Sequence, residues 1–213
     1  MARKSADEVR GRLEHCVHRW RGPQTFVIDG VEHIQLVHPY NWTWRNERAV
    51  EVPLARAFLE QQDGPVLELG NVLGNYGPSG HIVVDKYEQG PGVLNVDIVD
   101  FQPTERFGAI VAISTLEHVG WDEEPRDAAK IPQAVRHLQR LLLPSGRLFV
   151  TCPLSYNPNL DSLISNNGLD ATNQAFLVRN GRLWSQADGA AALARARMGP
   201  YGGSAIWIAE LQP

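Results

Sequence analysis

The sequence predicts an α/β fold, a mostly parallel sheet with helices on both faces. Three observations carry that reading. The stretch Val66–Gly77, VLELGNVLGNYG, reads as a short buried strand that runs into a glycine-rich turn. Gly70, Gly74 and Gly77 follow there at intervals of four and three, and without a Cβ the backbone can turn sharply and approach a ligand. The runs HIVVD, LNVDIVD, FGAIVAIS and RLFVTCP come next, each short and apolar. FGAIVAIS (107–114) is unbroken, as a central parallel strand buried on both faces must be. Finally, Ile131, Ala134, Val135, Leu138, Leu141 and Leu142 recur at helical spacing over 127–143, and Pro144-Ser145-Gly146 stops that helix.

The elements follow in order. Ser5 to Trp20 is expected to be an amphipathic helix, with Ser5 and Glu8 as a capping box. Its apolar face is Val9, Leu13, Cys16, Val17 and Trp20, and Arg21-Gly22-Pro23 ends it. Thr25 to His38 alternates as a β-hairpin turned at Asp29-Gly30. An aromatic loop with Tyr40, Trp42 and Trp44 leads into a helix over about 44–62, which Pro53 can kink. Residues 1–62 fall outside the strand–helix alternation, so they are expected to cap a core of 63–213. In that core NVLGNYGPSG leaves room for only a brief first helix. Beyond 153 the pattern predicts a short helix near 160–166. Strands are expected at 174–179 and 205–211, with an alanine-rich helix between them. That makes seven strands with one antiparallel insertion.

Composition narrows the function. Of 213 residues 43% are hydrophobic and 21% charged, with a net charge of -4, which speaks against a broad nucleic-acid footprint. The two cysteines, Cys16 and Cys152, are far apart and are expected to be reduced thiols of a cytoplasmic protein. No apolar run follows the basic opening residues and none approaches membrane-spanning length, so neither a signal peptide nor a membrane span is expected.

Ligands of such sheets sit beyond the C-terminal ends of the strands. Those ends offer Glu68, Gly70 and Asn71, then Asp85, Asp97, Ser114, Thr115, Glu117 and His118, then Pro153 and Tyr156. A carboxylate after the second strand can accept hydrogen bonds from both hydroxyls of a ribose. An acid-rich ring favours a cationic cofactor over a pyrophosphate.

ELGNVLGNYG, VVDKYE, NVDIVDF, ISTLEHVGW and RLLLPSGRLFVTCP resemble the motifs of the class I S-adenosylmethionine-dependent methyltransferases, over roughly residues 50–155. Val72 stands where that family's first motif has its middle glycine, and Ser145 replaces a glycine before the fifth strand. The stretch lacks the G-x-G-x-x-G of a dinucleotide site. The resemblance implies a Rossmann-like seven-stranded sheet that binds S-adenosylmethionine. By it Glu68, Gly70, Asn71, Gly74 and Ser114 line the cofactor. Asp85 holds the ribose, and Asp97 and Ile98 flank the adenine. The phrase ISTLEHVGWDEEP with CPLSYNPNLD resembles small bacterial methyltransferases of polysaccharide biosynthesis, among them sugar 1-O-methyltransferases of methylmannose polysaccharide synthesis.

Methyl transfer to a hydroxyl needs alignment and a base. His118, at the exit of the fourth strand, is the candidate base, with Glu117 beside it. Glu117-His118 also resembles part of the E-x-x-E-H segment with which metal-dependent methyltransferases bind Mg²⁺, so both residues are candidate ligands. Asp122, Glu123, Glu124 and Asp161 are further oxygen donors. Trp44, Trp121 and Tyr156 are candidate walls for a sugar or small-molecule acceptor, and Asn46 and Arg48 candidate contacts to the cofactor carboxylate. A small aromatic hydroxyl, or a regulatory module without catalysis, stays open beside the sugar acceptor, as does a homodimer.

Overall fold

The computed structural model describes residues 2–22 and 24–213, with the side chains of 2–6 and 19 set aside. Helix α1 (Ala2–Arg21) starts before Ser5, so Ser5 stands inside the helix and not at its cap. The Ser5 side chain and Pro23 of the expected stop lie outside the described residues. The apolar face expected to point inward is exposed, with Leu13 at 64% and Trp20 at 85%. The opposite face docks instead. A Cβ on Gly11 would stand 2.8 Å from the Trp42 indole, and His15 stacks on Trp44. Glu14 accepts from Trp44 Nε1 (3.0 Å) and Arg45 Nε (2.8 Å). Periodicity finds an apolar stripe but not the surface it meets.

Strands β1 (Thr25–Ile28) and β2 (Val31–Ile34) form the expected hairpin. Asp29 and Gly30 both have positive φ, 49° and 79°, as a type I′ turn requires. A 3₁₀ turn (Tyr40–Arg45) precedes α2 (Arg48–Leu59), which is shorter than expected. Pro53 sits inside α2 and leaves the Ala49 carbonyl without its helical donor. The amide of Leu36 fills that place at 2.8 Å, which ties the hairpin's exit to the helix.

The main sheet has eight strands, one more than expected. They are β3 (Val66–Leu69), β4 (Ile82–Val84), β5 (Val93–Leu94), β6 (Phe107–Ile113), β7 (Leu142–Pro153), β8 (Asn173–Asn180), β9 (Leu183–Ala187) and β10 (Ala205–Leu211). Their order is β5-β4-β3-β6-β7-β10-β8-β9. The first five are parallel, and β10 lies antiparallel between β7 and β8. This is the Rossmann-like arrangement with the expected antiparallel strand, β10, and a second one, β9, at the edge. The extra strand β9 turns back from β8 at Gly181 and takes the start of the segment expected to be helical. What remains is α5 (Gly189–Arg195), capped by Asp188, whose carboxylate accepts from the Ala191 amide.

Strand β6 shows how the layers form. Ile110 and Ala112 join the apolar cluster on one face, and Ala109, Val111 and Ile113 join the other. On the first face α3 (Lys130–Leu141) packs through Ile131, Ala134, Val135 and Leu138. Burying each larger aliphatic side chain there contributes about 1.5–3 kcal/mol. Helix α4 (Pro158–Ser165) adds Leu160 and Ile164 to that face. The second face is covered by α2 together with Phe26 and Ile28 of β1, so part of the expected N-terminal cap forms a layer of the core. Among the described residues no helix is long and apolar enough to cross a membrane.

Candidate active site

Strand order reverses beside β3, where β4 lies on one side and β6 on the other. Ligand crevices form at such points. A cleft of about 350 Å³ opens there, lined among others by Gly70, Asn71, Asp85, Asp97, Ile98, Ser114 and His118. That volume is within the range of small-molecule sites.

The turn after β3 is built by an acid. Glu68 is fully buried, and its Oε1 accepts from the amides of Val72 (2.9 Å) and Leu73 (2.8 Å). Its Oε2 lies 2.6 Å from His81 Nε2. The expectation that Glu68 lines the cofactor is therefore replaced: the carboxylate is committed to the turn, outside the cleft lining. Gly70 has φ 88°, and a Cβ there would stand 2.2 Å from Thr115 Oγ1. This glycine is required by the close pass of β6's exit. Gly74 carries no such demand, since its nearest contacts would be 3.6 Å away, and it too stands outside the cleft lining. Asn71 reaches across to Glu88, with Nδ2 donating to Oε1 at 2.7 Å, and so pins the β3 exit to the β4 exit.

Asp85 follows β4. Its Oδ1 accepts from the amides of Tyr87 (2.8 Å) and Glu88 (2.7 Å), which holds the carboxylate at the cleft wall. Asp97 is committed differently from the expectation. Its Oδ2 meets the Nζ of Lys86 (2.8 Å) and of Lys130, and both lysines also pair with Glu123. Burial pushes Asp97 and Glu123 up, but the lysine hydrogen bonds outweigh it and hold both below the usual carboxylate range. Lys86, Asp97 and Glu123 of that four-charge network line the cleft beside Ile98.

Ser114 follows β6 with φ 40°, a strained value for a serine. Its Oγ donates to Glu51 Oε1 at 2.7 Å, and Glu51 also holds Arg48. Arg48 lines the cleft. Burial lowers its pKa, but the carboxylates of Glu51, Glu47 and Glu117 together drive it above the ordinary arginine value. Asn46 points elsewhere, with Nδ2 on the Asn41 carbonyl at 2.7 Å.

At the cleft's other end His118 Nδ1 lies 2.6 Å from Asp122 Oδ2, and Tyr156 donates its hydroxyl to the same oxygen at 2.7 Å. Burial raises Asp122, yet these two hydrogen bonds prevail and keep it below its usual value. Burial, then the bond to Asp122, push Tyr156 up to about 12, so its hydroxyl remains a donor at neutral pH. Glu117 turns inward. It is 1% exposed, and its Oε2 is buried with no hydrogen-bond partner among the described residues. Burial, then the Glu51 carboxylate, raise its pKa well above the usual range.

This donor set does not fit Mg²⁺. Among the described residues no three His, Cys, Asp or Glu side chains gather as a metal-holding group. Glu117 is buried outside the cleft lining, with Oε1 3.7 Å from His118 Nε2, and the Nδ1 of His118 is taken by Asp122. Of the expected acceptor walls, Trp44 faces α1, and Trp121 stacks under the Arg126 guanidinium at 4.0 Å. Tyr156 alone stands beside His118, 4.7 Å between ring centroids. Asp122 as the partner of His118 was legible only as an acid four residues on. The lysine pairing of Asp97 and the Glu51–Ser114 bond join distant segments and left no local signal.

No protein-family model and no curated protein sequence matches the chain. Among solved structures it is similar to the N-methyltransferase NodS of Bradyrhizobium japonicum in complex with S-adenosyl-L-homocysteine, at 13% identity and TM-score 0.43, over 74% of this chain and 81% of that one. A S-adenosylmethionine-dependent methyltransferase of Thermotoga maritima, a possible histamine N-methyltransferase, matches at 11% identity and TM-score 0.46, over 75% and 87%. The sugar N-methyltransferase KedS8 of a Streptoalloteichus species matches at 17% identity and TM-score 0.38, over 68% of this chain and 62% of that one.

Proposed function

We propose that this chain is an S-adenosylmethionine-dependent O-methyltransferase whose acceptor is a hydroxyl of a sugar or short oligosaccharide. One observation carries the reading: Asp85 at the end of β4 and the His118–Asp122 pair after β6 line a single cleft at the switch point of the sheet. The resemblance of the strand-end motifs to class I methyltransferases supports the same cofactor.

Bound there, S-adenosylmethionine supplies an electrophilic methyl group on a sulfonium. The chain's own residues do the rest. Asp85 accepts from the ribose hydroxyls. Ile98 and the Lys86–Asp97 wall bound the adenine, and Arg48 takes the methionine carboxylate as a charge-assisted pair. Gly70 and Asn71 shape the floor between them. His118 removes the acceptor proton through Nε2, and Asp122 fixes the ring's tautomer and stabilises the imidazolium that forms. Tyr156 holds Asp122 in place. Beside His118 stand the Asp122 carboxylate and the Tyr156 hydroxyl, polar groups that suit a sugar better than an aromatic ring.

The test has two stages. Thermal-shift titration with S-adenosylhomocysteine and with NAD should give a rise for the first alone, since a ligand that binds only the native state raises Tm. Transfer of labelled methyl from S-adenosylmethionine to a panel of mannose- and glucose-based oligosaccharides, against catechols, should then label a sugar. A rise with NAD alone, or label on catechols alone, would refute the cofactor or the acceptor respectively.

A further inference from the structure

A second pocket opens on the same rim of the sheet. Strand β8 runs parallel to β7, so Arg179 near its C-terminal end stands on the edge that also carries Ser114 and Pro153. The pocket is about 510 Å³ and lies between α1, the turn Tyr40–Arg45 and the loop 197–204. Arg10, Arg45, Arg179, Arg182 and Arg197 line it, against one carboxylate, Glu14. In a chain of net charge -4 this is a local reversal of sign.

Carbonyls, not acids, hold several of these guanidiniums. Arg179 donates Nε to the Gly181 carbonyl (2.8 Å) and Nη2 to the Trp44 carbonyl (2.9 Å), with Nη1 on the Arg45 carbonyl. Arg197 Nη1 donates to the Ala196 carbonyl at 2.6 Å. Such bonds aim a guanidinium but leave its charge uncompensated. Burial, opposed by the Glu47 carboxylate and reinforced by repulsion from Arg182, holds Arg179 below the ordinary arginine value.

Arg45 supplies a second and independent observation. Its side chain is 10% exposed, and its guanidinium lies against both the Trp42 ring (4.4 Å) and the Tyr201 ring (4.8 Å), whose centroids are 6.2 Å apart. Glu14 takes Nε, while Nη1 and Nη2 are buried with no hydrogen-bond partner among the described residues. Two unmet donors on one planar fork match two oxygens of a phosphate or sulfate group, and buried charged donors are costly to leave unmet.

The geometry points to a binding site for a tetrahedral oxyanion, a phosphate or sulfate monoester group, with Arg45 at its floor and Arg182 and Arg197 at its rim. Tyr201 covers the floor. It is 44% exposed and sits in Gly199-Pro200-Tyr201-Gly202-Gly203, so it is the side chain that swings when oxygen reaches Nη1 and Nη2. Arg45 of this pocket and Arg48 of the cleft stand three residues apart on the same segment. The site stands whether or not the chain transfers methyl groups.

Titration of the full chain with sodium phosphate and with sodium sulfate, at ionic strength held by chloride, tests it by Tm and tryptophan fluorescence. Both anions should raise Tm to saturation and perturb the emission of Trp42 and Trp44. The double variant Arg182→Ser/Arg197→Ser changes exposed side chains, so it should match the parent's Tm without anion and bind phosphate about tenfold or more weakly. Tyr201→Ala should bind phosphate more tightly. A rise that never saturates, or equal binding by all three proteins, overturns the site. A hexose monophosphate that binds about tenfold tighter than phosphate places the oxyanion on a sugar, and equal affinities make it a free ion; either supports the site. Saturation by phosphate in a protein that ignores S-adenosylhomocysteine would remove the methyltransferase reading alone.

Discussion

His118 and Asp122 are joined twice: Nδ1 meets Oδ2 at 2.6 Å, and the Asp122 amide donates to the His118 carbonyl at 3.0 Å. The backbone turn thus delivers the carboxylate to the ring, while the ring's other nitrogen, Nε2, lies 3.7 Å from Glu117 Oε1. His118→Ala should lower kcat for methyl transfer by about 10²–10⁴-fold, the usual contribution of a positioned base. Asp122→Asn keeps the shape but favours the wrong tautomer, and should cost about 10–100-fold in kcat with little change in KM. A loss confined to KM would show that the pair holds substrate and takes no proton.

Asp85 has two duties that substitution can separate. Its Oδ1 caps the amides of Tyr87 and Glu88, and its charge faces the cleft. Asp85→Asn retains an acceptor for the amides and should stay within about 0.5 kcal/mol of the parent in stability. It should still bind S-adenosylhomocysteine about tenfold or more weakly, because a charged acceptor for two hydroxyls is gone. Calorimetric titration and urea melts measure the two. Unchanged affinity in a stable variant would remove Asp85 from the ribose.

Gly70→Ala tests whether the first glycine serves the fold or the ligand. At φ 88°, with the new Cβ 2.2 Å from Thr115 Oγ1, the variant should lose about 1–3 kcal/mol. Thr115→Gly in the same chain removes the clash but not the φ penalty, so about half the loss should return. Full recovery would show that the backbone angle costs nothing here, and no recovery that Thr115 is not the obstacle.

What the sequence disclosed follows from which signals are local. The apolar runs HIVVD, LNVDIVD and FGAIVAIS end at an acid or a serine, and that local pattern puts Asp85, Asp97 and Ser114 at or near strand ends, with His118 just beyond. Periodicity could not tell where each carboxylate would spend its charge. Glu68 turned back onto two amides and His81, Asp97 onto two lysines, and Glu117 into the core. The same blindness to partners reversed α1, whose Val9 and Leu13 face solvent because its other side meets Trp42, Trp44 and Arg45. Strand β9 was missed because it is set by a two-residue turn at Gly181 and by pairing with β8, while its own residues read as the start of a helix.

Glu47 makes stability depend on pH in a direction opposite to most carboxylates. Burial first, and then the Glu51 carboxylate, push it from 4.5 up to about 7, though its Oε2 accepts from the Gly203 amide at 2.9 Å. The folded state therefore holds a proton that the unfolded chain releases between pH 4.5 and about 7. The contribution to stability is full below about 4.5, declines as pH rises through that window, and is gone above about 7. Glu47→Gln mimics the protonated form at every pH and its carboxamide oxygen can still accept from Gly203. It should match the parent near pH 4.5 and exceed it at about pH 8 by on the order of 3 kcal/mol, the equivalent of the shift. Urea melts at the two pH values read the difference. A gap of the same size at both would mean that Glu47 is ionised throughout, with Arg48 and Gly203 outweighing its burial.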